Sequence, residues 1–232
     1  MYQQIINDLK KYSDSEKARI LSRFFKTGKG EYGEGDIFLG VIVPQQRLVA
    51  KKFKDADLKT IEKLLHSKIH EHRLTALLII VYQIKKANEV KKKNFFNFYL
   101  KNTNYINNWD LVDLSCRDII GEYLLDKDRK ILYQLACSKN LWERRIAIIS
   151  TFAFIRKSKL QDTLRVSKIL LNDKHDLIHK AVGWALRELG KKDEKALENF
   201  LNKYYKKIPR TMLRYAIEKF SEEKRKKYLT KS

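Results

Sequence analysis

Apolar side chains recur every three or four residues along nearly the whole chain, which is the spacing of one face of an α-helix. The stripe Trp109, Val112, Cys116, Ile120 and Tyr123 is one instance. The pattern predicts helices over 2–11, 14–26, 45–53, 58–66, 71–86, 88–101, 108–124, 127–138, 140–157, 160–172, 175–189, 193–206 and 209–220. The punctuation agrees: Asn107-Asn108 and Asn140 are N-cap types, Gly190 follows a periodic run, and Pro44 and Pro209 stand where first-turn prolines belong. One stretch, 27–43, is irregular. No segment rich in Pro, Gly or Ser divides the chain, so one domain over 1–232 is expected. Only 2 Pro and 8 Gly are too few for a many-turned β fold.

The helices repeat. Segments starting at Arg73, Asp110, Arg144 and Lys180 superpose, each followed by a second, shorter helix, at steps of 34 to 37 residues. Helical pairs at that period are the signature of an all-α solenoid of HEAT-like repeats, whose units bury their apolar faces only against neighbours. Such a stack is expected to curve and to line a concave groove with one helix of each pair. Arg144, Arg145, Lys180 and Arg187 fall on those lining helices and would make the groove basic.

Composition strengthens that reading. With 50 Lys and Arg against 28 Asp and Glu the formal net charge is +22, and the isoelectric point is near 9.8. A field of that sign attracts polyanions, nucleic acid before membrane, because no lipid-binding segment stands out. A Lys-rich composition inherited from an AT-rich genome would explain the lysines but leaves glutamate free to balance them. The longest apolar run, Leu77–Tyr82, is far short of the ~18 residues of a membrane span. The first residues show no secretion signal. Cys116 and Cys137 form no motif and read as reduced core thiols of a cytoplasmic protein.

One position departs from the repeat. The fourth place of the superposed segment holds Ala76, Ala147 and Gly183, but Asp113 in the second unit. A small residue suits close helix packing, whereas an ionised carboxylate in an apolar stripe is costly unless paired. An i,i+4 ion pair with Arg117, worth a few tenths of a kcal/mol, is the plain explanation. The superposition also places Trp184 beside Gly183 and Arg145 near Ala147, so a carboxylate, two indoles and a guanidinium would share the groove. Core packing for Trp109 and Trp184, and a solvated face for Arg145, are the alternatives.

At these residues the chain resembles the bacterial DNA alkylation repair glycosylases of the AlkD type. The likeness rests on Phe24-Phe25-Lys26-Thr27-Gly28, Gly33-Glu34-Gly35-Asp36-Ile37-Phe38-Leu39-Gly40-Val41, Val43-Pro44-Gln45-Gln46-Arg47, Asn108-Trp109-Asp110-Leu111-Val112-Asp113, Leu141-Trp142-Glu143-Arg144-Arg145 and Gly183-Trp184-Ala185-Leu186-Arg187-Glu188. It implies a glycosylase that removes cationic N3- and N7-alkylated purines from duplex DNA. It also implies Asp113 as catalytic carboxylate, Trp109 and Trp184 as aromatic walls on the deoxyribose, Arg145 on the backbone beside the lesion, and Arg47 among the DNA contacts. The chemistry is consistent with one carboxylate. Ordinary glycosidases use a second to protonate the leaving group, and a cationic base needs no such acid.

Other motifs are weaker. Gly28-Lys29-Gly30-Glu31-Tyr32-Gly33 spells a dinucleotide fingerprint but follows a helix, and Glu31 and Glu34 would repel pyrophosphate. A loop beside the groove, with Lys26 and Lys29 near phosphates, is expected instead. His66, His70 and His72, and His175 with His179, have metal-pair spacing but read as surface or capping residues. No metal and no cofactor is expected. The runs Lys91–Lys93 and Lys224–Lys227 read as solvated. The expected partner is double-stranded DNA carrying alkylated purines, bound by a monomer in base excision repair. The alternative is a non-catalytic helical-repeat protein that recognises damaged or bent duplex through phosphates. A third reading is a protein-binding scaffold.

Overall fold

Helix α5 (His70–Ile84) is buried along almost its whole circumference, from His70 through Val81 and again at Ile84. The computed structural model describes residues 1–230. In it the chain packs as two compact units, Met1–Ser115 and Cys116–Ser232. Among the described residues every regular element is helical, and the single β pairing is an isolated bridge between Ile37 and Ile69.

The first unit contains α1 (Tyr2–Lys10), α2 (Ser15–Phe24), α3 (Val43–Lys52), α4 (Leu58–Leu65), α5, α6 (Glu89–Lys101) and α7 (Trp109–Asp113). α3, α4, α6 and α7 pack around α5, which is why its apolar run has no solvent face. Each Leu or Ile so withdrawn from water contributes roughly 1.5–3 kcal/mol. Side-chain caps start the helices: Asp14 accepts from Lys17 N at 3.0 Å, Asp57 from Thr60 N at 2.6 Å and Asn88 from Lys91 N at 2.9 Å. Each satisfies a donor that the first turn cannot.

The stretch 27–43 is irregular, as expected, but firmly held. Glu71, fully buried on α5, accepts from Leu39 N at 3.0 Å, Gly40 N at 2.9 Å and Val41 N at 3.2 Å. Gly40 has φ +83°, and a Cβ there would stand 2.0 Å from the Asp14 carbonyl, so only glycine lets the loop pass the start of α2. Upstream, the carboxylates of Glu31 and Glu34 accept from Gly28 N (2.9 Å) and Gly30 N (2.8 Å). The amides that a fingerprint of this kind would offer to phosphate already serve the loop itself.

The second unit opens with a π-helical turn, Arg117–Gly121, and continues with α8 (Lys130–Ala136), α9 (Leu141–Ser150), α10 (Phe152–Arg156), α11 (Gln161–Ile169), α12 (Asp176–Gly190), α13 (Glu194–Tyr204), α14 (Arg210–Ala216) and α15 (Glu222–Thr230). α12 is its centre, packed by α9, α11, α13 and α14. A Cβ on Gly183 would lie 2.5 Å from Tyr215 Cβ and 2.6 Å from the Met212 carbonyl, so this glycine is what lets α14 approach.

Several expectations need correction. The helix over 108–124 is interrupted after Asp113. The Ser115 hydroxyl donates to the Leu111 carbonyl at 2.5 Å, the acceptor a continuing helix would give to the Ser115 amide, which turns to Val112 O at 3.2 Å instead. The helix over 140–157 also divides, at Thr151, whose hydroxyl and amide both donate to the Ile148 carbonyl, at 2.7 and 3.1 Å. α15 was not foreseen, because Tyr228 is its one buried residue in a run of charges. Cys116 is buried, but Cys137 is exposed rather than core.

Candidate functional site

Asn108 accepts from Trp109 N at 2.8 Å and so starts α7 where the sequence signals it. Trp109 is half-buried. Its ring stacks on Phe25, centroids 5.2 Å apart and planes at 23°, and meets Phe24 edge-on at 5.8 Å. Phe25 in turn stacks on Phe38 at 5.2 Å. Phe24, 62% exposed, is the solvent-facing ring of this group.

Beneath the aromatic group lies a charged network. His70, 1% exposed, sits 4.6 Å from the Phe38 ring and 5.0 Å from that of Phe25. Its Nε2 is 2.8 Å from Asp110 Oδ2 and its Nδ1 3.1 Å from Asp36 Oδ2. Arg73 donates to the other oxygen of Asp36 at 2.7 Å and to the Ser67 carbonyl at 3.0 Å. Burial disfavours the charged imidazole, but the Asp110 carboxylate, by charge and hydrogen bond, and then Asp36 outweigh it and raise the pKa to about 9. Burial likewise pushes Asp36 up, and His70 and Arg73 overcome it to hold the carboxyl below its ordinary value. His72 goes the other way. Burial, reinforced by Lys10 and Arg73, lowers it to about 4.

These two histidines correct the surface reading, since both are buried. His66 stacks on Tyr105 at 3.8 Å and bonds Asn102 at 2.7 Å. His175 does cap, accepting from Leu177 N at 3.2 Å. Among the described residues no group of three or more His, Cys, Asp or Glu is arranged to hold a metal ion.

Asp113 is half-buried at the last position of α7, whereas Ala76, Ala147 and Gly183 at the equivalent places are buried. The negative end of the helix dipole adds to the negative potential there. The helix breaks after Asp113, and in the following turn the Arg117 guanidinium lies against Asp118, 3.2 Å from both oxygens.

In the second unit, Trp184 is half-buried on α12, its ring edge-on to Phe152 at 4.6 Å. Arg145 is buried on α9 and donates to the Leu177 carbonyl at 2.6 Å. Arg144 pairs with Asp173 at 2.6 Å and donates to the Ser138 and Lys139 carbonyls at 3.0 and 2.9 Å. Arg187 bonds Glu218 and lies 3.5 Å from Glu188. Lys180 forms an exposed i,i+4 pair with Asp176 at 2.7 Å. In the first unit Lys26 and Lys29 are exposed and Arg47 is half-buried on α3. Arg144 and Arg187 are therefore built into the packing, whereas the Lys180 pair is of the weak kind that exchanges easily.

Sequence reasoning gave no role to Phe25, Phe38, His70 or Asp110. They come from four separate segments and meet only in the fold. Phe25, Phe38 and Asp110 lay within the motifs that carry the resemblance, whereas His70 stood out only by its spacing from His66 and His72.

Fold and charge define an all-α helical-repeat protein with a large positive excess. A family model described as DNA alkylation repair enzyme matches residues 5–220, and the chain belongs to that family. A solved structure described as a predicted DNA alkylation repair enzyme from Enterococcus faecalis superposes with a TM-score of 0.72. The match covers 90% of this chain and 97% of that one at 16% identity, a likeness of fold. No curated protein matches the chain. Among the described residues no helix is long and apolar enough to cross a membrane.

Proposed function

We propose that the chain is a DNA glycosylase that hydrolyses the N-glycosidic bond of cationic N3- and N7-alkylated purines in duplex DNA. The observation that carries this reading is Asp113. It is a half-buried carboxylate that ends the short helix begun by the stacked Trp109, at a place where the equivalent helices bury a small residue. Membership of a family of DNA alkylation repair enzymes supports it.

Alkylation gives the purine a positive charge, so the bond from C1′ to nitrogen breaks with its electron pair leaving on the base, which becomes neutral. The sugar is left oxocarbenium-like. Asp113 stabilises that cation and orients a water, whose oxygen bonds to C1′ while its proton passes to the carboxylate or solvent. The indole faces of Trp109 and Trp184 favour the developing charge by about 1–2 kcal/mol each once water is excluded. Arg145 holds the backbone beside the lesion, and Lys26, Lys29, Arg47 and Lys180 engage phosphates, with Arg144 and Arg187 adding to the field. The roles of Trp184, Arg145 and Arg47 follow the family resemblance. The chain acts as one module and a monomer, without metal or cofactor, on DNA in the cytoplasm.

The test is release of free 7-methylguanine and 3-methyladenine from methylated duplex DNA. The wild type releases base, and Asp113→Asn loses about 100-fold or more in rate, the scale of removing one charge-stabilising group. Full activity in that variant refutes the assignment. Salt-sensitive duplex binding with no base release by the wild type would leave the non-catalytic damage-recognition reading.

A further inference from the structure

The most constrained charged group outside the proposed chemistry is His70. Each of its ring nitrogens faces a carboxylate oxygen, Asp110 on α7 at one end and Asp36 in the 27–43 loop at the other. A neutral imidazole has one bare nitrogen, which would point its lone pair at a carboxylate. Two ionised acceptors therefore require a ring protonated on both nitrogens. The third charged group facing it is Arg73, on its own helix, which is tied to Asp36. Phe38 stacks on the ring at 4.6 Å and Phe25 lies tilted against it at 5.0 Å, contacts with aromatic rings that favour a cation.

Two linkages run from this ring to the proposed catalytic helix. Through Asp110, whose other oxygen accepts from Leu111 N at 2.8 Å, it pins the first turn of α7. Through Phe25, which contacts His70 and stacks on Trp109, it sets the plane of the indole. We propose that His70 is a positioning residue for base release, fixing α7 through Asp110 and the Trp109 ring through Phe25. This rests on the glycosylase reading. A tilt or slide of α7 would move Trp109 and Asp113 together, and misplacement of about 1 Å is enough to cost on the order of 100-fold in rate. Deprotonation of His70 removes one hydrogen bond and the attraction to both carboxylates, so the first turn of α7 loosens as the pH approaches 9.

The experiment uses the full chain, with 15N-labelled histidine and 5-fluorotryptophan, followed by NMR from pH 6 to 10.5. Trp109 is assigned by loss of its signal in Trp109→Phe. The expected result is a His70 ring protonated on both nitrogens at pH 8, titrating near pH 9, with the Trp109 fluorine signal moving at the same midpoint. In single-turnover base release, the wild-type rate falls with that midpoint. His70→Gln lacks this limb and is slower by about tenfold or more, with duplex affinity changed by less than about twofold. His70 titrating at its ordinary value, or a Trp109 signal that ignores the titration, overturns the proposal on the wild type alone, whether or not the variant folds. Base release with no alkaline limb in the wild type overturns it as well. The NMR linkage without base release overturns the glycosylase reading instead and leaves His70 setting Trp109 in a protein of other activity.

Discussion

The ring of Trp109 lies over that of Phe25, centroids 5.2 Å apart and planes 23° from parallel. Trp109 opens the helix that Asp113 closes, while Phe25 is the C-cap residue that follows α2, some eighty residues earlier in the chain. The platform of the candidate site is therefore a long-range contact, and its sensitivity to substitution can be separated from that of the core.

Phe25→Leu keeps most of the volume and should cost less than about 1.5 kcal/mol, yet it removes the flat surface beneath the indole. Single-turnover base release should fall by about tenfold while the thermal midpoint moves little. Phe25→Ala should cost about 3–5 kcal/mol and unfold the protein at markedly lower temperature. A Leu variant with unchanged rate would show that the stacking does not matter to the reaction.

Stability should peak near neutral pH, because His70 and His72 pull in opposite directions. The folded pKa of His70, about 9, lies above its ordinary 6.5, so its contribution is whole below pH 6.5 and is lost as the pH rises through 9. The folded pKa of His72, about 4, lies below 6.5, so its contribution is whole above pH 6.5 and is lost as the pH falls through 4. Each proton changes the free energy by at most about 1.4 kcal/mol per pH unit. Urea unfolding across pH 4 to 10 should show both limbs, with the alkaline one absent in His70→Gln.

Basic residues should divide into two groups. Lys26→Ala or Lys29→Ala should leave the melting temperature unchanged and reduce the salt dependence of duplex binding by about 0.9 in log–log slope for each phosphate lost. Arg144→Ala should instead destabilise the fold by about 3 kcal/mol, since it strands Asp173, only 6% exposed. Equal melting temperatures for all three variants would contradict the division.

Gly183→Ala should be poorly tolerated although alanine is the better helix former. The added methyl meets Tyr215 Cβ and the Met212 carbonyl, backbone that cannot swing aside. A loss of about 1–3 kcal/mol is expected, and amide exchange should rise selectively over α14. A stabilised variant would show that α14 sits farther from α12.

Most helices were legible because their signals are local. The three-to-four spacing and the caps at Asn108 and Asn140 concern residues within a turn or two of one another. Asp113 stood out by the same logic, as one carboxylate in a register of small residues. The break after Asp113 was not legible, since it depends on how Ser115 spends its hydroxyl, and Tyr99 on α6 shares that group at 2.9 Å. Nor could the burial of His70 be read, because His-Glu-His-Arg opening a helix looks solvent-facing until Asp36 and Asp110 arrive from either side.

Periodicity and capping thus sufficed by themselves for helix content, and the repeat register for the candidate carboxylate, because both rest on near neighbours. The family was legible only through the motifs that carry the resemblance. Only tertiary structure decided which polar groups are buried, which arginines are already paired, and what lies beneath Trp109. Desolvation and pairing are set by residues distant in sequence, and the energy of a buried charge depends on all of them at once.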